Sequence, residues 1–195
     1  RVIFQNSEDR DTLLGFGALR PAQAVMIRGS GVDLARYVCT PEPPASPPVV
    51  VMASRLLYDK GVREFVEAAR LLRGTGIDAR FLLAGDPDFG NPAAVSAADL
   101  ARWREEGVVE CIGHCRDMPG LFAGAHLVVL PSYREGLPKV LVEAAACGRA
   151  VVTTDVAGCR DAVVPGETGM LVQPRNVRAL VDAIAGLLAN PDERQ

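Results

Sequence analysis

The chain has no excess of positive charge: 21 Lys and Arg stand against 24 Asp and Glu, for a net charge of −3. That balance excludes a general nucleic-acid binder or membrane-surface binder, so any grip on phosphate has to come from local geometry. No apolar run reaches the roughly 18 residues of a membrane span, and no signal peptide opens the chain. Internal repeats and low-complexity tracts are also lacking, which argues against a solenoid or a solvated tail. Five cysteines (Cys39, Cys111, Cys115, Cys147 and Cys159) are an odd number for a disulfide framework. Cys111 and Cys115 flank His114 as zinc ligands do, but structural zinc sites pair two such clusters and there is no second one. Free thiols in a reducing cytoplasm are the expectation. The sequence starts inside a strand-like run, Arg1-Val2-Ile3-Phe4, without Met, and stops just after a helix. Both ends are therefore expected to be cut from something longer.

What is present is one ordinary domain's worth of material: 195 residues, 49% hydrophobic and 23% charged, long enough to bury its own core. Short apolar, β-branched runs alternate with segments of helical period. The runs predict strands at Val2–Phe4, Ala24–Ile27, Val49–Ala53, Phe81–Ala84, Val108–Ile112, Leu127–Leu130, Ala150–Thr153 and Met170–Val172. Their continuity suits parallel strands covered on both faces. Helices are predicted at Gly61–Leu72, Ser96–Glu106, Met118–Ala123, Pro138–Cys147 and Val177–Leu188. The first carries Val62, Phe65, Val66, Ala69 and Leu72 on one face and Arg63, Glu64, Glu67 and Arg70 on the other. Strand–helix alternation of this kind predicts an α/β fold, a Rossmann-like doubly wound parallel sheet with helices on both faces. Residues 1–48 read as a lead-in, with the Pro-rich stretch Pro41–Pro48 as a short linker, and residues 49–195 as the main βα units of a single domain. Ligands of such sheets bind beyond the carboxyl ends of the strands.

Two constellations fall at that edge. After the strand Val49–Ala53 comes Ser54-Arg55-Leu56-Leu57-Tyr58-Asp59-Lys60-Gly61, an Arg fork and a Lys point charge suited to the two phosphates of a nucleotide diphosphate. Lys60-Gly61 also opens a helix, whose free N–H groups favour anions. The plain alternative is two solvated surface cations. After the strand Leu127–Leu130 comes Pro131-Ser132-Tyr133-Arg134-Glu135-Gly136-Leu137-Pro138, then Lys139 and, deeper in the helix, Glu143. Pro138 suits the first helical position, which leaves Glu135 in the loop. Glu143 is the odd polar residue in an apolar stretch and needs a partner; a ribose diol would supply two hydroxyls. A hydrolytic acid/base pair fits less well. Eight residues of helix span about 12 Å, whereas glycosidase carboxylates sit about 5–9.5 Å apart. The plain alternative here is that both glutamates are engaged in salt bridges.

Taken in order, Arg55-x4-Lys60-Gly61, Leu82-Leu83-Ala84-Gly85-Asp86, Gly113-His114, Leu130-Pro131-Ser132, Glu135-x7-Glu143 and Gly148-Arg149-Ala150-Val151-Val152 resemble the second domain of retaining GT-B glycosyltransferases. The resemblance is to the large group containing bacterial lipopolysaccharide, capsule and mannosyl transferases. Gln5-Asn6, Gly29-Ser30-Gly31-Val32-Asp33, Gly158, Gly166-Glu167-Thr168-Gly169 and Leu171-Val172 extend it over essentially the whole chain. It implies a donor-binding domain for a nucleotide-diphosphate sugar, most commonly a UDP-sugar, and glycosyl transfer to a surface-polysaccharide or lipid-linked acceptor. It also implies retention of configuration, with no cofactor and no bound metal. Arg55 and Lys60 would hold the diphosphate and stabilise the departing nucleotide. Glu135, with the backbone of Gly136 and Leu137, would hold the sugar and its phosphates, and Glu143 the ribose. Gly113 and His114 would lie against the base.

The family's acceptor domain, which precedes this one, is missing from the sequence, so the fragment alone is expected to bind donor without transferring it. Any contact with a membrane surface would come through that missing domain, and no nucleic-acid partner is implied. The resemblance gives Lys139 no role. Other readings are weaker. Gly29-x-Gly31 lacks the third glycine of a dinucleotide fingerprint, Leu34 standing there. Asp86-Pro87-Asp88 looks like a metal-binding acidic pair but lacks the context for one. His126, before a core strand, reads as structural. A sugar-nucleotide epimerase of similar fold and a non-catalytic nucleotide-binding module remain as alternatives. The second would gain if Arg55 and Glu143 pointed away from a common pocket.

Overall fold

The computed structural model describes residues 1–44 and 47–194. Among the described residues eight strands form: β1 (Val2–Phe4), β2 (Ala24–Met26), β3 (Val49–Ala53), β4 (Arg80–Ala84), β5 (Glu110–Gly113), β6 (Leu127–Leu130), β7 (Ala150–Thr154) and β8 (Gly169–Val172). Between them run α1 (Ser7–Gly15), α2 (Val62–Gly74), α3 (Ala97–Glu106), α4 (Met118–Ala123), α5 (Lys139–Ala146), α6 (Ala157–Ala162) and α7 (Val177–Ala189). β3 to β8 make one parallel sheet in the order β5-β4-β3-β6-β7-β8. This is the predicted doubly wound sheet. β1 and β2 pair separately, also in parallel. Chain order reverses between β3 and β6, the central neighbours, and a crevice opens at such a switch point beyond their carboxyl ends.

Burial follows position in the sheet. Every residue of β3, β6 and β7 is buried, whereas the edge strands β5 and β8 are partly open. On one face α2 and α7 pack side by side. Val62, Phe65, Val66, Ala68, Ala69 and Leu72 of α2 and Leu180, Val181, Ala183, Ile184 and Leu187 of α7 are buried, the stripe that the apolar period of both segments requires.

Element boundaries depart from expectation by a residue or two. Val108 and Val109 are buried but precede β5, because pairing with β4 begins only at Leu82↔Glu110. Two helices were not predicted. α1 buries none of its residues, so it has no apolar stripe to betray it, and α6 is six residues long with Gly158 inside. Of the Pro-rich stretch, Ala45 and Ser46 lie outside the described residues. Its flank is anchored: Arg149 donates from Nη2 to Thr40 O and Pro41 O at 2.8 and 3.0 Å, and Arg194 pairs with Glu42 at 2.8 Å. All five cysteines are free thiols.

His126 is structural, as expected. It is 4% exposed, its Nδ1 accepts the Val49 N–H at 3.0 Å, and its own N–H donates to Val49 O at 2.8 Å. The residue before β6 thereby fixes the start of β3 at the centre of the sheet. Burial holds the imidazole below its ordinary value; Glu42 pulls it upward, while Arg194 and Arg149 act with burial. A depressed histidine binds its proton less readily folded than unfolded. Stability is therefore intact above the unfolded value of about 6.5 and lost as pH falls below it, at up to about 1.4 kcal/mol per pH unit. Denaturation midpoints measured from pH 7.5 to 5 should fall. In His126→Asn, whose Oδ1 offers an acceptor that does not titrate, the drop should be smaller. An equal slope in both proteins would remove His126 as its source.

Candidate functional site

The loop after β3 is pinned from both sides. Ser54 N–H donates to Ala84 O at 3.1 Å, Leu56 N–H to Asp86 O at 3.0 Å, and Leu56 and Leu57 are buried. Tyr58–Lys60 form a 3-10 turn that ends on Gly61, and Gly61 caps α2 with φ of 75° and ψ of 27°. Lys60-Gly61 therefore precede the helix rather than open it. The reason is steric as well as conformational, because a Cβ on Gly61 would overlap the Pro131 carbonyl of the neighbouring loop.

That neighbouring loop follows β6 and interlocks with the first. Tyr133 N–H donates to Asp59 O at 2.8 Å. Ser132, fully buried, donates its hydroxyl to Glu135 Oε1 at 2.8 Å and to Asp59 O at 3.3 Å. Thr154 at the end of β7 donates to Ser132 O. Across the two loops Lys60 Nζ meets Glu135 Oε1 at 2.7 Å, with side chains 18% and 12% exposed. The Tyr133 hydroxyl donates to Glu64 Oε1 at 2.6 Å, and the Arg175 guanidinium lies 4.5 Å over the Tyr133 ring. Burial, then the Glu64 carboxylate, push the Tyr133 phenol up to about 12, so it stays a donor. Arg175 is the one non-glycine residue with positive φ, 59°, among the described residues.

Pro138 stands at the cap of α5, not at its first position. Its backbone is extended, its carbonyl accepts Leu141 N–H at 3.1 Å, and Lys139 is the first helical residue. No side chain caps this helix start; such N–H groups are open to an anion. It follows that only 139–143 of the span between the two glutamates is helical, and a helical rise does not describe their separation. Glu143 is 9% exposed and pairs with Lys139, one turn earlier, at 3.4 Å. Lys139 thus acquires a place beside a carboxylate that the sequence left without a partner. Glu143 also lies near the buried Tyr37; burial first and the Glu143 charge second raise that phenol.

The predicted residues are brought together in part. Lys60 and Glu135 meet directly. Glu143 is engaged by Lys139, so both glutamates are in ion pairs. Arg55 is 63% exposed in its side chain and pairs with Asp88 at 3.2 Å, which occupies half of the acidic Asp86-Pro87-Asp88 pair. Among the described residues no three His, Cys, Asp or Glu side chains cluster as a metal site would require. Gly113, with φ of 70°, ends β5 and gives its carbonyl to Gly85 N–H at 2.8 Å; His114 is exposed beside it. Cavities of about 440 and 290 Å³ lie elsewhere, the first at the amino ends of β7 and β8 between Arg149, Met170 and Leu187, the second between α2 and α3. Neither is lined by any residue of the two loops. Missed from sequence were Ser132, Tyr133, Glu64 and Arg175. The signal for the first two was their place inside the quoted loop; Glu64 and Arg175 carried none.

Comparison with known proteins gives one consistent answer. The profile of the family described as glycosyl transferases group 1 matches residues 47–190. An α-1,3-N-acetylgalactosaminyltransferase of Campylobacter jejuni, acting on N,N'-diacetylbacillosaminyl-diphospho-undecaprenol by its name, is 37% identical over 141 residues, 72% of this chain and 35% of that enzyme. The sucrose-phosphate synthase of Thermosynechococcus elongatus superposes with a TM-score of 0.82 at 26% identity, covering 99% of this chain and 50% of that one. HepE of Anabaena in complex with UDP gives 0.81 at 25% identity, covering 99% and 55%. The chain therefore spans about a third of that enzyme and about half of those two structures. No helix among the described residues is long and apolar enough to cross a membrane.

Proposed function

The chain belongs to the glycosyl transferases of group 1, and from that premise we propose that it binds the nucleotide-diphosphate sugar donor of a retaining glycosyltransferase. A UDP-sugar is the favoured donor and a surface-polysaccharide or lipid-linked hydroxyl the acceptor. The observation that carries the reading is the Lys60–Glu135 pair. It joins the two loops on the two strands that flank the switch point, where an open α/β sheet takes its ligand. A HepE structure holding UDP supports the nucleotide.

In the reaction the bond from the anomeric carbon to the β-phosphate oxygen breaks, a bond to the acceptor oxygen forms, and the acceptor proton passes to the departing diphosphate. Negative charge grows on the departing diphosphate. In this reading Lys60, Arg55 and the uncapped start of α5 meet that charge, an electrostatic task assigned to side chains and backbone without a metal. For this Arg55 exchanges Asp88 for phosphate, an inexpensive exchange at an exposed ion pair. Glu135 addresses the sugar once Lys60 turns to phosphate, Glu143 the ribose hydroxyls, and Gly113 and His114 the base. The acceptor side and the closure of the cleft fall to the rest of the enzyme.

Calorimetric titration with UDP, GDP and ADP tests the reading. One nucleotide should bind, and Arg55→Ala and Glu143→Ala should each weaken it about tenfold to a hundredfold, as loss of a charge-assisted hydrogen bond of about 1.5–3 kcal/mol requires. No binding at millimolar nucleotide, either to this chain or to the enzyme that contains it, would sink the proposal.

A further inference from the structure

We infer that Asn6 is a positioning residue for the loop that carries Glu135, Gly136 and Leu137, and that it aims two backbone N–H groups at the donor; the functional half of the inference rests on the donor-site reading above. Asn6 is a buried polar residue, 1% exposed, and 129 residues from the loop it touches. Its Oδ1 accepts Asp9 N–H at 2.8 Å, which caps α1. Its Nδ2 donates to Asp9 Oδ2 at 2.9 Å, to Gly136 O at 3.3 Å and to Glu135 O at 3.5 Å. An acceptor for the cap and a donor for the two carbonyls are both required, and a side-chain amide supplies both.

A second observation fixes the same two carbonyls from another direction. A Cβ on Gly158 would run into Gly136 O and Glu135 O. Both oxygens therefore face α6 and Asn6. A trans peptide is planar with its C=O and N–H on opposite sides, so the Gly136 and Leu137 N–H groups point away from Asn6. Neither donates a hydrogen bond among the described residues. These two free N–H groups adjoin the uncapped start of α5, whose own N–H groups favour an anion. Asn6 fixes where they aim without touching the ligand. The hold is reinforced by Arg134, which pairs with Asp9 at 3.0 Å, and by Gln5, whose Oε1 occupies the space where Gly136 lacks a side chain.

Asn6→Asp and Asn6→Ser separate the two tasks of the residue. Both retain an oxygen that caps α1, and both lose the amide donor. Asp also sets a carboxylate oxygen against the two carbonyls. Backbone amide relaxation by NMR should show Gly136 and Leu137 falling from an order parameter of about 0.85 to below about 0.6, with α1 still ordered. UDP affinity should fall at least about tenfold, equivalent to 1.4 kcal/mol. Unchanged Gly136 and Leu137 amides in two folded variants would overturn the inference. If UDP bound neither wild type nor variants, the donor reading would fail, and the relaxation data would still decide whether Asn6 positions the loop.

Discussion

Gly61→Ala is expected to destabilise the protein by about 3 kcal/mol and to abolish nucleotide binding at concentrations that saturate the wild type. Two terms add. At φ of 75° an L side chain sits in the left-handed region, at about 1–2 kcal/mol. The added methyl also overlaps Pro131 O, and forcing an atom into packed surroundings costs about 1–3 kcal/mol. Neither can be relieved locally. Gly61 N–H closes the turn on Tyr58 O at 3.0 Å, and Gly61 O accepts the Phe65 N–H at 3.0 Å, at the root of a buried helix. The strain must therefore move the β6 loop, which holds Ser132 and Glu135. For a domain of this size the midpoint should drop by about 10 °C. Thermal unfolding and calorimetry with UDP check it, and a midpoint within a degree of wild type would contradict the geometry.

The second large effect concerns Lys60. In Lys60→Met, Glu135 keeps the Ser132 hydroxyl but loses the one cation it pairs with among the described residues, in surroundings where it is 12% exposed. Removing one member of a buried pair costs about 3–5 kcal/mol because the other charge is left uncompensated; the residual exposure here places the expected loss at the lower end. Glu135→Gln added to Lys60→Met should restore most of that stability, since no charge is then stranded. It should not restore binding, because the phosphate has still lost its point charge. Urea denaturation of wild type, both singles and the double yields the coupling directly. Additive losses would mean that the pair is not coupled and that Lys60 serves the fold in some other way.

How much of this was legible beforehand depends on which residues report on themselves. β3, β6 and β7 are fully buried runs of Val, Leu, Met, Ala and Thr, and buried parallel strands have to read as continuous apolar segments. α2 and α7 announce themselves by period. α1 and α6 show no apolar period, α1 because it buries none of its residues and α6 because it is short and glycine-bearing. Asn6 with Glu8 and Asp9 in the following turn was a readable cap signal for α1. At the site, charge types and spacing located Lys60 and Glu135, but spacing along a chain does not state which cation pairs with which carboxylate. Lys139 beside Glu143 and Asp88 beside Arg55 are outcomes of three-dimensional proximity. So is the link from Tyr133 to Glu64, 69 residues away in the chain.

The junction of β3 with β6 has a consequence for how the protein is made. These central strands are joined through Val49 and His126, 77 residues apart. During synthesis β3, β4 and β5 emerge before β6 and can pair among themselves, and β3 then waits with one whole side unpaired until the ribosome has delivered β6. An all-apolar strand with open N–H and C=O groups invites other nascent chains, and parallel pairing across long separations forms slowly. The interval between Val49 and Leu130 leaving the exit tunnel is therefore open to aggregation. The residues that end it, His126 and the four strand residues after it, guard the chain before they contribute to any chemistry.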